Sequence, residues 1–220
     1  YLYSSTNKVY GDLHWDKLNE LETRFESKDF STGYDTNIPL DITTPYGCSK
    51  GTGDLYAHDF FKIFELRTTV FRLSTVYGTN QTSTYDQGWV GWYINEAINK
   101  ENNDYINILG TGKQVRDILF IDDFVKLVEI YLKNSKNFVG KKFNVGGGYK
   151  NSLSILELIK FLEKNLGKKY KLNHQNERLS DQRYYVSNIS TLDSEYMWKP
   201  TVDLNKGLDQ FIDFVKTKNE

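Results

Sequence analysis

TTPYGCSKGTGDLYAHDFF (43–61) sets Tyr46 and Lys50 four positions apart at the head of a helix-forming run. Pro45 suits a first helical turn, where its missing N–H would have no partner anyway. The helix is expected over roughly 46–65, with Leu55, Phe60, Ile63 and Phe64 supplying an apolar side. Gly51 and Gly53 weaken it but would let a backbone or a ligand come close. Residues four apart share one helix face. An ammonium beside a phenol favours phenolate, lowering a pKa that is ordinarily about 10. A tyrosine so tuned takes a proton from an alcohol near neutral pH, which is general-base work. With 16 tyrosines in the chain, a Tyr-x-x-x-Lys pair arises easily by chance, so the flanking segments decide.

Upstream, YLYSS (1–5) alternates large and small residues and reads as a buried strand ending in a polar turn. Residues 11–44 are polar, lack sustained periodicity and carry Gly33 and Pro39 as breakers, so they are expected as a long surface excursion. Downstream, TTVFRLSTVYG (68–78) reads as a second strand. A helix is expected around 89–100, a short strand at 106–110 and an amphipathic helix from about Asp122 to Lys133. KKFNVGGG (141–148) is a third strand-to-glycine transition, and Ser152 or Ser154 caps the helix after it. YKLNHQNE reads as a strand, and the last helix places its stripe at Leu204, Leu208, Phe211, Ile212 and Val215. Strands alternating with helices argue for an α/β chain with parallel strands. Ligands of such sheets bind beyond the strand carboxyl ends, where Thr6, Ser74, Thr75 and Tyr77 fall. Residues 1–80 are expected to form one unit, with a return strand near 141–148, and 81–220 mainly a second lobe.

Composition excludes several classes. The 28 basic and 29 acidic residues give a net charge of −1, with no basic run suited to a nucleic-acid backbone. No apolar run approaches the ~18 residues of a membrane-spanning helix. Cys48 is the only cysteine, so no intrachain disulfide is available and a cytoplasmic location is expected. Cys48 falls off the Tyr46–Lys50 face and is read as packing. His14, His58 and His174 are too scattered to suggest a metal site. The chain opens directly in a strand and its one methionine is Met197, so it reads as the later part of a longer protein.

Three segments in order, SSTNKVYGD (4–12), PYGCSK (45–50) and FRLSTVYG (71–78), resemble the extended short-chain dehydrogenase/reductase family of NAD-dependent epimerases and dehydratases. The resemblance implies the C-terminal part of a Rossmann-like parallel sheet with a smaller mixed α/β substrate lobe, and NAD as cofactor. It makes Tyr46 the acid/base, Lys50 the group that tunes it and binds the nicotinamide ribose, and Thr6 the hydrogen-bond partner of the reacting oxygen. Leu73 and Ser74 join Tyr46 and Lys50 on the cofactor. The family's Gly-rich dinucleotide turn is absent, since no G-x-G-x-x-G occurs in the chain. It would lie upstream of Tyr1, leaving half a cofactor site here, so the chain alone is expected neither to hold NAD nor to turn over. Pairing through the Tyr46 helix would make a homo-oligomer.

Sugar-nucleotide 4,6-dehydratases of this family follow the threonine with an Asp-Glu pair, where this chain has Asn7 and Lys8. Without those carboxylates the elimination lacks its acid and base. TYDQGWVGW (84–92) and GKQVRD (112–117), with the earlier segments, resemble the CDP-paratose 2-epimerase branch. The implied reaction inverts carbon 2 of a nucleoside diphosphate sugar through a 2-keto intermediate. Implied substrate contacts are Thr6, Asn7, Thr75, Gln87, Arg116, Arg178 and Asp181. The two arginines suit a diphosphate because guanidinium matches phosphate in bidentate fashion. Asp181 then contacts ribose or orients an arginine. A 4-epimerase or reductase of the same family, or a non-catalytic relative, remains open beside this reading, although keeping Thr6, Tyr46 and Lys50 together argues against the last.

Overall fold

A computed structural model describes residues 1–219. The first strand, β1 (Leu2–Thr6), ends in a 3-10 turn at Asn7–Tyr10, whose first N–H groups are capped by Thr6: its hydroxyl accepts from the Lys8 N–H. The excursion at 11–44 is ordered. It holds the antiparallel hairpin β2 (Leu18–Glu20) and β3 (Phe25–Ser27), and Tyr34 bridges to Ser187. Phe25, Tyr34, Tyr184 and Tyr185 bury it as a separate core, so aromatic burial rather than repeated pattern fixes this segment.

Helix α1 (Pro45–Phe64) starts where expected, with the Thr44 hydroxyl accepting from the Gly47 N–H. Its buried side, however, is made of small residues: Gly47, Gly51, Asp54 and Ala57. A Cβ at Gly47 would meet the Lys8 carbonyl oxygen at 2.8 Å, and one at Gly53 would collide with the Tyr3 ring. These glycines thus admit β1 and its turn. The expected apolar side faces outward, Leu55, Ile63 and Phe64 each being more than half exposed. Cys48 is exposed as well, which corrects its reading as a packing residue.

The segment 68–78 is two strands, not one. β4 (Thr69–Leu73) is the middle of a parallel sheet and β5 (Thr75–Tyr77) belongs to another. The hand-over is at Ser74, whose N–H donates to the Val145 carbonyl at 2.8 Å while its hydroxyl donates to Asp117 Oδ1 at 2.5 Å. Helix α2 (Trp89–Asn99) and strands β6 (Tyr105–Leu109) and β7 (Val115–Phe120) follow, with β5 parallel to β7. Helix α3 (Ile121–Phe138) then leads into β8 (Lys142–Val145), which returns to β4 to complete the order β1-β4-β8.

A short β9 (Ser152–Ser154) runs antiparallel to β7. Ser154, of the two serines considered, caps α4 (Ile155–Leu166) through a reciprocal bond pair with Glu157. β10 (Lys171–Gln175) pairs with β6 and β11 (Tyr184–Tyr185) with β7, both in parallel. The helices α5 (Ser190–Tyr196) and α6 (Leu204–Asn219) close the chain.

Two main cores result. α2, α4 and α6 pack Ile94, Leu158, Leu162 and Phe211 around β6 and β7. α3 and α5 pack Leu127, Phe138 and Leu192 around Phe71 and Phe143 of β4 and β8. The sheets therefore separate at Ser74, six residues before the expected boundary, and α3 and α5 join β8 in returning to the first sheet. No described helix is long and apolar enough to cross a membrane.

Candidate functional site

The site starts at the carboxyl end of β1. Parallel register sets Thr6 beside Leu73 and Leu73 beside Val145, so three strand ends open on one side. Thr6 is buried, and its hydroxyl donates to Asn7 Oδ1 at 3.2 Å. Asn7 is held from far along the chain. Its Nδ2 donates to Gln182 Oε1 at 2.9 Å, while Gln182 Nε2 donates to the carbonyls of Asn7 (3.2 Å) and Gly11 (2.7 Å). A fully buried glutamine with these three bonds fixes the turn as a unit.

Beside it, Lys8 Nζ and Arg116 Nη2 both donate to Asp181 Oδ1, at 2.9 Å and 2.8 Å. Arg116 also donates to the Val115 carbonyl. Burial alone would raise the Asp181 carboxyl pKa, but the Arg116 guanidinium and Lys8 ammonium outweigh it and hold the group below the usual range. Burial, then the neighbouring Arg116 charge, lowers the Lys8 pKa in turn. Asp181 thus pairs with Arg116, one of the arginines named with it in the sequence. Arg178 is more loosely placed: it donates to the Tyr85 carbonyl and to Asp86 Oδ1 at 3.1 Å and 3.0 Å and lies over the Tyr85 ring. It thereby ties the 84–87 segment to the loop that carries Asp181.

Tyr46 and Lys50 stand on the first turns of α1. Tyr46 is 54% exposed, and no bond to its phenol oxygen occurs among the described residues. The Lys50 ammonium donates to the Ser4 carbonyl at 2.9 Å and sits over the Tyr3 ring, two residues short of Thr6 along β1. Beneath them the helix is anchored by a buried ion pair: Arg72 on β4 donates to both oxygens of Asp54 at 2.8 Å and 2.9 Å, and Ser5 adds a third bond. Arg72 continues to Tyr10, and Tyr10 to Asn144 on β8.

The remaining predicted contacts are dispersed. The Ser74 hydroxyl is spent on Asp117, so what it can offer a cofactor is backbone. Thr75 Oγ1 accepts from the Trp89 indole at 3.2 Å, which joins the TYDQGWVGW segment to the strand end. Gln87 is exposed, its backbone paired with Thr84. Lys8 and Gln182 belong to the cluster and were not among the residues predicted for it. The DQR run next to Asp181 could have pointed to Gln182, and the replacement of a carboxylate by Lys8 was the signal for the other.

Residues 1–146 match the NAD dependent epimerase/dehydratase family. The chain is 44% identical to CDP-paratose 2-epimerase from Salmonella typhi over 98% of its own length and 64% of that protein. It is 28% identical to UDP-glucuronate 4-epimerase from Thermodesulfobacterium geofontis, covering 89% of this chain and 56% of the relative. In three dimensions it is similar to UDP-glucuronic acid 4-epimerase from Bacillus cereus, solved with UDP-glucuronic acid and NAD: the TM-score is 0.80 at 27% identity, over 99% of this chain and 61% of that one. The chain spans about three-fifths of the length of these relatives. It belongs to the NAD dependent epimerase/dehydratase family.

Proposed function

We propose that the protein carrying this chain is an NAD-dependent nucleotide-sugar epimerase that inverts carbon 2 of a CDP-sugar. The observation that carries the reading is the 44% identity to CDP-paratose 2-epimerase across nearly the whole chain. The site supports it chemically. The two positions after Thr6, which hold the acid and base in dehydratases that resemble this chain, are here a buried amide bound to Gln182 and an ammonium bound to Asp181. Neither can serve an elimination as a carboxylate would.

NAD, when bound, supplies the hydride acceptor and donor, and the chain's residues supply position and proton transfer. Lys50 and the backbone at Leu73 and Ser74 are the groups we assign to it; a lysine with one donor on Ser4 keeps two more for ribose hydroxyls. Tyr46 takes the proton of the sugar 2-hydroxyl, and Thr6 donates to the same oxygen as it becomes a ketone. Tyr46 returns the proton after the opposite face of carbon 2 has been presented. Arg116, oriented by Asp181, engages the diphosphate, and Arg178 brings the 84–87 segment over the sugar. Thr75, Asn7 and Gln87 complete the substrate contacts. The outward apolar side of α1, with Tyr56, Phe60 and Phe64 in ring contact, supports pairing of two copies through this helix.

The test is CDP-paratose deuterated at carbon 2. The expected product is epimerised, keeps the label at carbon 2 and forms without free NADH. Solvent hydrogen at that carbon would replace the hydride route with direct deprotonation, and inversion at carbon 4 instead would assign the protein to the 4-epimerases.

A further inference from the structure

Lys8 has no role in the functional reading so far, yet both its backbone and its ammonium are held in place. Its backbone N–H is held by Thr6, the turn around it is locked by Gln182, and its ammonium lies on Asp181. Ordering a long side chain in this way costs rotamer entropy that a surface lysine keeps. The ammonium has three donors, of which Asp181 takes one. The other two meet no acceptor among the described residues, although only 27% of the side chain is exposed. Arg116 shares the same carboxylate oxygen, so two cations stand against one anion and the cluster keeps an excess of positive charge. Such an arrangement attracts a further anion.

We propose that Lys8 is a substrate-binding cation that, with Arg116, grips the diphosphate of a nucleoside diphosphate sugar at its sugar-proximal end. The proposal rests on the nucleotide-sugar reading above and extends it to a residue that reading leaves idle. Asp181 acts as the positioning residue: it holds together two cations that would otherwise repel, and leaves their remaining donors to the ligand. Guanidinium and ammonium then divide the work, the planar fork fixing orientation and the point charge adding attraction. Because Lys8 follows Thr6 by two positions on a rigid turn, gripping the phosphate there also sets where the sugar ring meets Thr6.

Isothermal titration of CDP and UDP, each against its monophosphate, into the wild-type protein, Lys8→Met and Lys8→Arg tests this. The wild type is expected to prefer the diphosphate. Lys8→Met should lose about tenfold in diphosphate affinity, the scale of one charge-assisted bond, with little change for the monophosphate. Lys8→Arg should restore most of the loss. In turnover, Lys8→Met should raise KM by a larger factor than it lowers kcat. Thermal melting of all three keeps folding apart from binding. No diphosphate preference in the wild type, or an equal change for both phosphates in Lys8→Met, would overturn the proposal and leave Lys8 as a clip for Asp181. A Lys8-dependent diphosphate preference without inversion at carbon 2 would instead uphold it and remove the epimerase reading.

Discussion

Around Asp181, side chains from positions 8, 116 and 182 are already joined to Asp181, to Asn7 or to backbone by bonds of 2.7–3.2 Å. Around Tyr46 the arrangement is looser: the phenol is half exposed and the Lys50 ammonium is engaged by a backbone carbonyl. Both regions border the carboxyl end of β1. The difference follows from burial. Gln182 and Asn7 are shut away from water and must be satisfied by the protein itself. Tyr46 and Lys50 remain in reach of solvent, so they can wait for a ligand to set their geometry. On the proposed function, the substrate's anionic end would meet a preformed set of groups, and the redox end would be left for the cofactor to complete.

Changes at the loose region should remove chemistry without removing binding. Tyr46→Phe deletes the proposed proton acceptor and is expected to lower turnover by at least ~10²-fold, with nucleotide-sugar affinity unchanged by titration. Should affinity fall in step with turnover, Tyr46 belongs to the preformed region and the contrast fails. The anchor under α1 is the next largest effect. Asp54→Ala strands the Arg72 guanidinium in the interior and is expected to cost about 3–5 kcal/mol in chemical denaturation. The double variant Asp54→Ala/Arg72→Met should recover much of this, because it removes the unpaired charge.

Gln182→Ala addresses the preformed region directly. Losing its bonds to Asn7 and Gly11 should cost about 1–3 kcal/mol of stability and weaken nucleotide-sugar binding, while a Tyr46-type loss of kcat is not expected. The smallest effect is in acid. The Asp181 carboxyl is held below its unfolded value of about 3.9, so its contribution is complete above that pH and is lost as pH falls toward the folded pKa. Asp181→Asn should therefore flatten the acid limb of stability below about pH 4. A limb of unchanged steepness would show that the carboxylate does not draw on Lys8 and Arg116.

Much of the fold is legible along the chain because its signals are local. Pro45 after Thr44 marks the start of α1, and Ser154 with Glu157 marks that of α4. What is not legible depends on distant partners. The break at Ser74 is made by Val145 and Asp117, which no window around 68–78 contains. The hairpin in 11–44 has strands of three residues, too short for a periodic signal, and is held by contacts such as the Phe25 N–H to the Lys113 carbonyl. The outward turn of Leu55, Ile63 and Phe64 reverses the usual meaning of an apolar helix side, since glycines take the buried one. For the site, Thr6, Tyr46, Lys50, Arg116 and Asp181 are candidates because ordered motifs carry the family resemblance, a signal local to each segment. Lys8 and Gln182 gain their meaning only from partners more than 170 positions away.

The most direct test is a crystal structure of the enzyme with NAD and a CDP-sugar bound. The expected result is that Lys50, still on the Ser4 carbonyl, donates its remaining hydrogens to the cofactor ribose, with the Tyr46 phenol and Thr6 hydroxyl on one sugar oxygen, while Asp181 still holds Lys8 and Arg116 against the diphosphate. A structure in which Lys50 makes no bond to the ribose, or in which the Asp181 cluster comes apart to admit the ligand, would contradict it.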